Sequence, residues 1–158
     1  MARKNKAYCK RPLQDGIGLG CWEITKLTNI LMISGKKTKA ESIVLSALKN
    51  INPNLEKAKL IFLQAIENVK PFVEIRSRRI GGANYRIPVE VKPIRRTTLA
   101  LRWIKAASQR RKERTASLRI FSEIVDASNR KGMAMKKKDE ICRLAEMNRA
   151  FSHFKSQT

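Results

Sequence analysis

Thirteen lysines and arginines fall between Arg76 and Arg114, against only Glu90 and Glu113. That quarter of the chain carries a net charge of +11, half of the +22 of all 158 residues. A uniformly solvated surface does not concentrate charge in this way. Arginine dominates the segment, as it does where planar guanidinium groups fix phosphates through paired hydrogen bonds. The chemistry on offer is therefore the binding of a polyanion. Other chemistries lack their parts. His153 is the single histidine and has no evident partner to orient it as a base, while Asp139-Glu140 and Glu41 read as charges near helix N-termini. Cys9, Cys21 and Cys142 are odd in number and show no CxxC pairing, so neither a zinc site nor a disulfide framework is expected, and the thiols fit a reducing compartment. Gly16-Ile17-Gly18-Leu19-Gly20 and Ile80-Gly81-Gly82 do not open a strand-to-helix phosphate loop. No catalytic residue, metal or cofactor is expected.

The elements that must position these cations follow from periodicity. Pro71 to Pro93 holds two runs of period-two alternation around Gly81-Gly82, with Tyr85, Ile87, Val89 and Val91 on one side, and reads as a β-hairpin at about 72–92. Arg76, Arg78, Arg79 and Arg86 cluster toward its tip. The link from Arg79 to Asn84 reads as longer than a two-residue turn, and Pro88, lacking an N–H, suggests an unpaired edge and an arm standing alone. Six helices surround it. Ile24, Leu27, Ile30 and Leu31 make the first stripe, stopped by Gly35, and Thr38 with Glu41 reads as a capping box for Ala40 to Ile51. Asn52-Pro53-Asn54 separates this from the third stripe, Ala58 to Val69, which Pro71 ends. Thr97 or Thr98 is expected to cap a fourth helix that turns Leu99, Trp103 and Ala106 one way. A fifth runs from about Thr115 to Arg130 with Lys131-Gly132 closing it, and a sixth has Leu144, Met147 and Phe151 as its seam. Lys136-Lys137-Lys138 at the start of the sixth opposes the helix dipole, which points to an anionic partner.

The length allows one domain with a sizeable core, and 42% hydrophobic content is too high for a disordered basic tail. Residues 1–14 form a basic arm expected to order only on its partner, and 15–158 form the single helical domain. The longest uncharged apolar stretch, between Lys26 and Lys36, is far short of the roughly 20 residues of a spanning helix, and no membrane partner is expected. Nine aromatics, mostly in helical stripes, do not make a platform for stacking single-stranded bases. A rigid block with basic faces suits folded RNA read by shape and phosphate position. A histone-like architectural DNA-binding protein is the alternative, although its arm would carry an apolar or proline wedge where this tip has Gly-Gly and arginines.

Four stretches carry a specific resemblance: residues 35–48 (GKKTKAESIVLSAL), 78–96 (RRIGGANYRIPVEVKPIRR), 99–104 (LALRWI) and 143–154 (RLAEMNRAFSHF). In one colinear order from about Asp15 onward, the chain resembles the small-subunit ribosomal protein seven family in its bacterial and organellar branch. The resemblance implies a six-helix body with a hairpin between the third and fourth helices. It implies a structural role in the head of the small subunit, where the family binds the 3′ major domain of the rRNA and nucleates head assembly beside proteins nine and eleven. The chain is then not a homo-oligomer. Residues expected at rRNA are Arg3, Lys4, Lys10, Arg11, Lys36, Lys37, Arg76, Lys92, Arg95, Arg96, Arg102, Lys105, Arg110, Arg111, Lys112, Arg114, Lys136, Lys137, Lys138 and Arg143. The tip residues Arg78, Arg79, Gly81, Gly82, Tyr85 and Arg86 are expected near exit-site tRNA and mRNA, and Trp103 is expected to pack. Cys142 and Met147 depart from the family's usual histidine and alanine, and residues before Gly20 match poorly. The family register begins close to Met1, leaving little room for a transit sequence. The setting implied is a ribosome of an organelle, a plastid before a mitochondrion, or of the bacterial cytoplasm.

Overall fold

A computed structural model describes residues 18, 20–80 and 82–151. The elements run α1 (Trp22–Leu31), α2 (Lys37–Ile51), α3 (Leu55–Val69), β1 (Val73–Ile80), β2 (Ala83–Glu90), α4 (Pro93–Gln109), α5 (Ala116–Ser128) and α6 (Met133–Met147). Six helices and a hairpin between the third and fourth are thus as expected. The arm of residues 1–14, with Arg3, Lys4, Lys10 and Arg11, lies outside the described residues, as do Gly81 and His153.

Helix α5 is packed on α2, α3 and α4. Its Ile120, Ile124 and Ala127 are buried with Val44 and Leu48 of α2 and Phe62 and Ile66 of α3, and each such large side chain contributes about 1.5–3 kcal/mol on burial. Alanines 47, 58, 65, 100, 107, 127 and 134 are all buried, which lets helix backbones approach closely.

Several helix ends differ from expectation. Ser34 and Gly35 take positive φ and turn the chain so sharply that α2 begins at Lys37, with Lys36 as a cap that offers no side-chain bond; Thr38 lies inside the helix and the capping box does not form. Helix α4 starts at Pro93, whose fixed φ and missing N–H suit a first helical position, so Thr97 is an interior, buried residue and not a cap. Its inward stripe is Thr97, Ala100, Leu101, Ile104, Ala107 and Ser108; Leu99 and Trp103 are only half-buried and Ala106 is exposed. Thr115 does cap α5, its Oγ1 accepting from the Leu118 N–H at 3.3 Å. That helix is closed by Arg130 in the left-handed region, with Arg130 N–H bonded to Ala127 O and Lys131 N–H to Asp126 O, the two bonds of a Schellman motif.

Gly132 opens α6 instead of ending α5. Its φ is +92°, and a Cβ there would lie 2.9 Å from Glu123 Oε1. Glu123 is fully buried. Its Oε1 accepts from the Ala134 N–H at 2.9 Å, supplying the N-terminal acceptor that α6 lacks locally, and its Oε2 accepts from Arg111 Nε at 2.7 Å. Arg111 also reaches Asp126 and, at 3.2 Å, Glu113. Burial works against the Arg111 charge, but the Asp126 and Glu123 carboxylates outweigh it and hold the guanidinium above its usual range. The lysine run 136–138 sits past the first three residues of α6, which softens the expected dipole conflict. The buried residues of α6 are Ala134 and Ala145, with Met135 packed against the core; Leu144, expected in the seam, is half-buried, whereas Met147, also expected there, is 70% exposed.

The hairpin pairs Val73 with Glu90 through Ile80 with Ala83, so only Gly81 and Gly82 lie between the strands and the link is shorter than expected. Gly82 takes φ +92°, which a tight hairpin turn requires and glycine tolerates. Among the described residues the sheet has two strands, but it does not stand alone: β1 packs against α6, and the Tyr85 and Phe151 rings are tilted together with centroids 5.3 Å apart.

Candidate nucleic-acid interface

Arg95 and Arg102 of α4, with Arg110 at its C-terminal cap, follow one another on the side away from its buried stripe. Spacings of seven and eight residues at about 1.5 Å per residue set them roughly 10–12 Å apart along the axis. Lys92, Ile94, Arg95, Thr98, Leu99 and Arg102 line one shallow cleft on this face, and Ile94 is 72% exposed there. Lys92, Arg102 and Arg110 are exposed and make no ion pair among the described residues. The first turn of α4 holds no acid, and its cations meet the positive end of the helix dipole. A phosphate relieves that repulsion.

Glu74 ties this face to the hairpin. Its side chain is 9% exposed and its two oxygens take Arg76 from β1 and Arg95, at 2.7 Å, from α4. Burial raises its pKa, but the hydrogen bonds from Arg95 and Arg76 outweigh that and hold the carboxyl below its usual range. A carboxylate depressed in the folded state contributes stability above its unfolded pKa of about 4.3 and loses it as pH falls through the folded value. Glu74→Gln is accordingly expected to cost about 1–2 kcal/mol near pH 7, discounted for the half-exposed arginines. Denaturant titrations should show the gap between the two proteins closing as pH falls from about 5 toward 3; a gap constant with pH would mean that the ionised pair contributes nothing.

Register divides the arm's arginines. Arg76 and Arg78 share the face of Tyr85 and the fully buried Ile87, whereas Arg79 and Arg86 share the opposite face and are exposed. Neither Arg79 nor Arg86 has an ion pair among the described residues.

Other expected contact residues are engaged by the protein itself. Lys105 Nζ donates to Ile30 O at 2.5 Å, tying α4 to the end of α1, and Lys138 Nζ donates to Asn68 O. Arg111 belongs to the Glu123 cluster, and Arg96, 22% exposed, bonds Val91 O at 2.8 Å and Glu90 at 3.3 Å. Lys37 pairs with Glu41 and Lys137 with Glu140. Lys36, Lys112, Arg114, Lys136 and Arg143 are exposed. Arg119 was not anticipated. It lines a second cleft with Leu31, Ile33, Ile43 and Lys105, and its Nε is buried without a hydrogen-bond partner. The signal for it was an arginine directly before Ile120 in the apolar stripe of α5. Asn68 was missed as well; its amide donates to Ala127 O and Ser128 O at the end of α5.

The family described as ribosomal protein S7p/S5e matches residues 3–149. The chain belongs to that family. The S7p/S5e match begins well before Asp15, so the basic N-terminal stretch, where the motifs align poorly, falls within it. The small ribosomal subunit protein uS7 of Neisseria meningitidis is 48% identical to this chain over 147 residues, covering 92% of it and 94% of the relative. The uS7 proteins of Chromobacterium violaceum and Polaromonas naphthalenivorans are each 46% identical, with the same coverage. S7p/S5e proteins are ribosomal structural components whose family role is rRNA binding, not a family of enzymes, and the histone-like reading finds no support. These relatives are bacterial and lend none to a plastid setting.

Proposed function

We propose that the outward face of α4, with Arg76 and the start of α6 beside it, binds the 3′ major domain of small-subunit rRNA and locks a multi-helix junction by neutralising converging phosphates. The observation that carries this is the placement of Arg95, Arg102 and Arg110 on the side of α4 opposite the core, where Arg102 and Arg110 have no ion pair among the described residues and Arg95, paired with Glu74, is still half-exposed. Arg3, Lys4, Lys10 and Arg11 extend the contact as an arm. The outer face of the hairpin, with Arg79 and Arg86, lies toward exit-site tRNA and mRNA, and ribosomal proteins nine and eleven are neighbours in the head and platform. Binding of this kind precedes and nucleates the addition of later head proteins.

Purified protein titrated with a transcript of the 3′ major domain and with duplex DNA of equal charge tests the assignment. The RNA is expected to win by about a thousandfold or more at physiological salt. Arg79→Ala with Arg86→Ala should change that affinity by no more than about twofold, because the arm serves a different RNA. Equal affinity for both polymers, with equally steep salt dependence, would overturn the assignment.

A further inference from the structure

We propose that the cleft between α4 and α6 receives one unpaired base of the bound RNA, stacked on Trp103. This rests on the rRNA-binding reading and adds a site to it. Trp103, Ala106 and Ala107 of α4 and Met133 of α6 supply the apolar lining of a cleft of about 230 Å³; Arg110, Lys136, Lys137 and Glu140 complete it. Trp103 packs partly against the core, yet the indole also lines this open space. Met133 is 43% exposed. Lys137 and Glu140 are paired at 2.7 Å, while Arg110 and Lys136 have no ion pair among the described residues, so the cleft carries net positive charge.

Charge decides the occupant. An apolar side chain of a neighbouring protein would cover the indole but leave Arg110 and Lys136 desolvated and unpaired, a costly arrangement. A nucleotide brings both complements at once: a π-face for the indole and a phosphate for the cations. Glu140 repels that phosphate from its own side and can accept a hydrogen bond from a donor on the base edge. Ala106 lies between Arg102 and Arg110 on the outward face, so the row of long cations along α4 is interrupted by a methyl group at this cleft. RNA backbone following the arginines passes the opening there.

Trp22 and Trp103 are the two tryptophans, so Trp22→Phe leaves Trp103 as the sole indole reporter. With the 3′ major domain transcript as probe, its emission is expected to fall by about half or more on saturation, as stacking on a base requires. Trp103→Leu should weaken binding about 5- to 100-fold at unchanged salt slope, and Trp103→Phe should restore most of it. Ala106→Trp, placed at an exposed position, should block the cleft and weaken binding over the same range without altering the melting temperature, which keeps the test decisive if Trp103→Leu folds poorly. Tight RNA binding with unaltered emission, and parental affinity in Ala106→Trp, would overturn the cleft while leaving the rRNA reading intact. Emission that responds to a purified head protein and not to RNA would also overturn it. Failure of the parent protein to bind the transcript at all would instead count against the rRNA reading.

Discussion

Glu123→Ala is expected to cost about 3–5 kcal/mol of folding stability, read as a fall in the denaturant midpoint at unchanged slope. The substitution removes the partner of a guanidinium that is itself 19% exposed, and it removes the acceptor of the Ala134 N–H at the start of α6. The Ala134 N–H is left buried and unsatisfied, and Arg111 keeps only Asp126 and Glu113 while losing the one carboxylate that is fully buried beside it, so a backbone donor and a charge-assisted bond are lost together. The geometry makes Glu123 hard to replace. Gly132 approaches so closely that a Cβ would meet the carboxylate at 2.9 Å, and Arg111 reaches it from the α4–α5 loop at 2.7 Å. Glu123→Gln should fall between, since its amide oxygen still accepts from Ala134 while the charge facing Arg111 is gone. Removing both ends with Glu123→Leu and Arg111→Met should cost less than the two single changes summed, because no charge is then left buried alone. A cost below about 1 kcal/mol for Glu123→Ala would show that the cluster does not hold α6 in place.

Replacing Arg95, Arg102 and Arg110 together by alanine is expected to weaken binding of the 3′ major domain transcript about a hundredfold at physiological salt. Each phosphate left without its arginine keeps roughly 0.7–0.9 counterion that binding would otherwise release, a factor of about five near 0.15 M salt, so three such phosphates compound to about a hundredfold. The slope of log affinity against log salt should fall by about 2–3. The stability cost should stay below the roughly 1–2 kcal/mol expected for Glu74→Gln, because Arg102 and Arg110 have no ion pair among the described residues and Glu74 keeps Arg76 when Arg95 is replaced. Lys105→Met is the contrasting case. Its ammonium is held by Ile30 O, so the expected effect falls on stability and the salt slope stays as it was. If Lys105→Met lowered the slope as much as the arginine substitutions do, the face of α4 would have no special standing over the rest of the positive charge.

Local rules were enough for the scaffold and for the class of partner. Apolar spacing in Ala40 to Ile51 and Ala58 to Val69, breakers at Pro53 and Pro71, and alternation around Gly81-Gly82 are short-range features, and the structure follows them in element type and order. The concentration of cations between Arg76 and Arg114 likewise needed no coordinates. Boundaries were less legible where one signal hid another. Thr97 and Thr98 resemble caps, but Pro93 starts α4 earlier, and Thr38 resembles a cap while the Ser34-Gly35 turn has already begun α2.

Which cations face outward was decided only by packing. Arg95, Arg102, Lys105 and Arg111 look alike in a string of basic residues. In the fold, Lys105 meets a carbonyl 75 residues away in sequence and Arg111 meets carboxylates 12 and 15 residues on, while Arg102 has no ion pair among the described residues. Glu74 and Glu123 acquire their roles in the same way, through partners brought to them by chain reversal. The physical reason is range: helical and strand periodicity are written in neighbours three or two residues apart, whereas an ion pair depends on where distant segments meet. Charge composition therefore names the partner's class, and tertiary structure selects the side chains free to touch it.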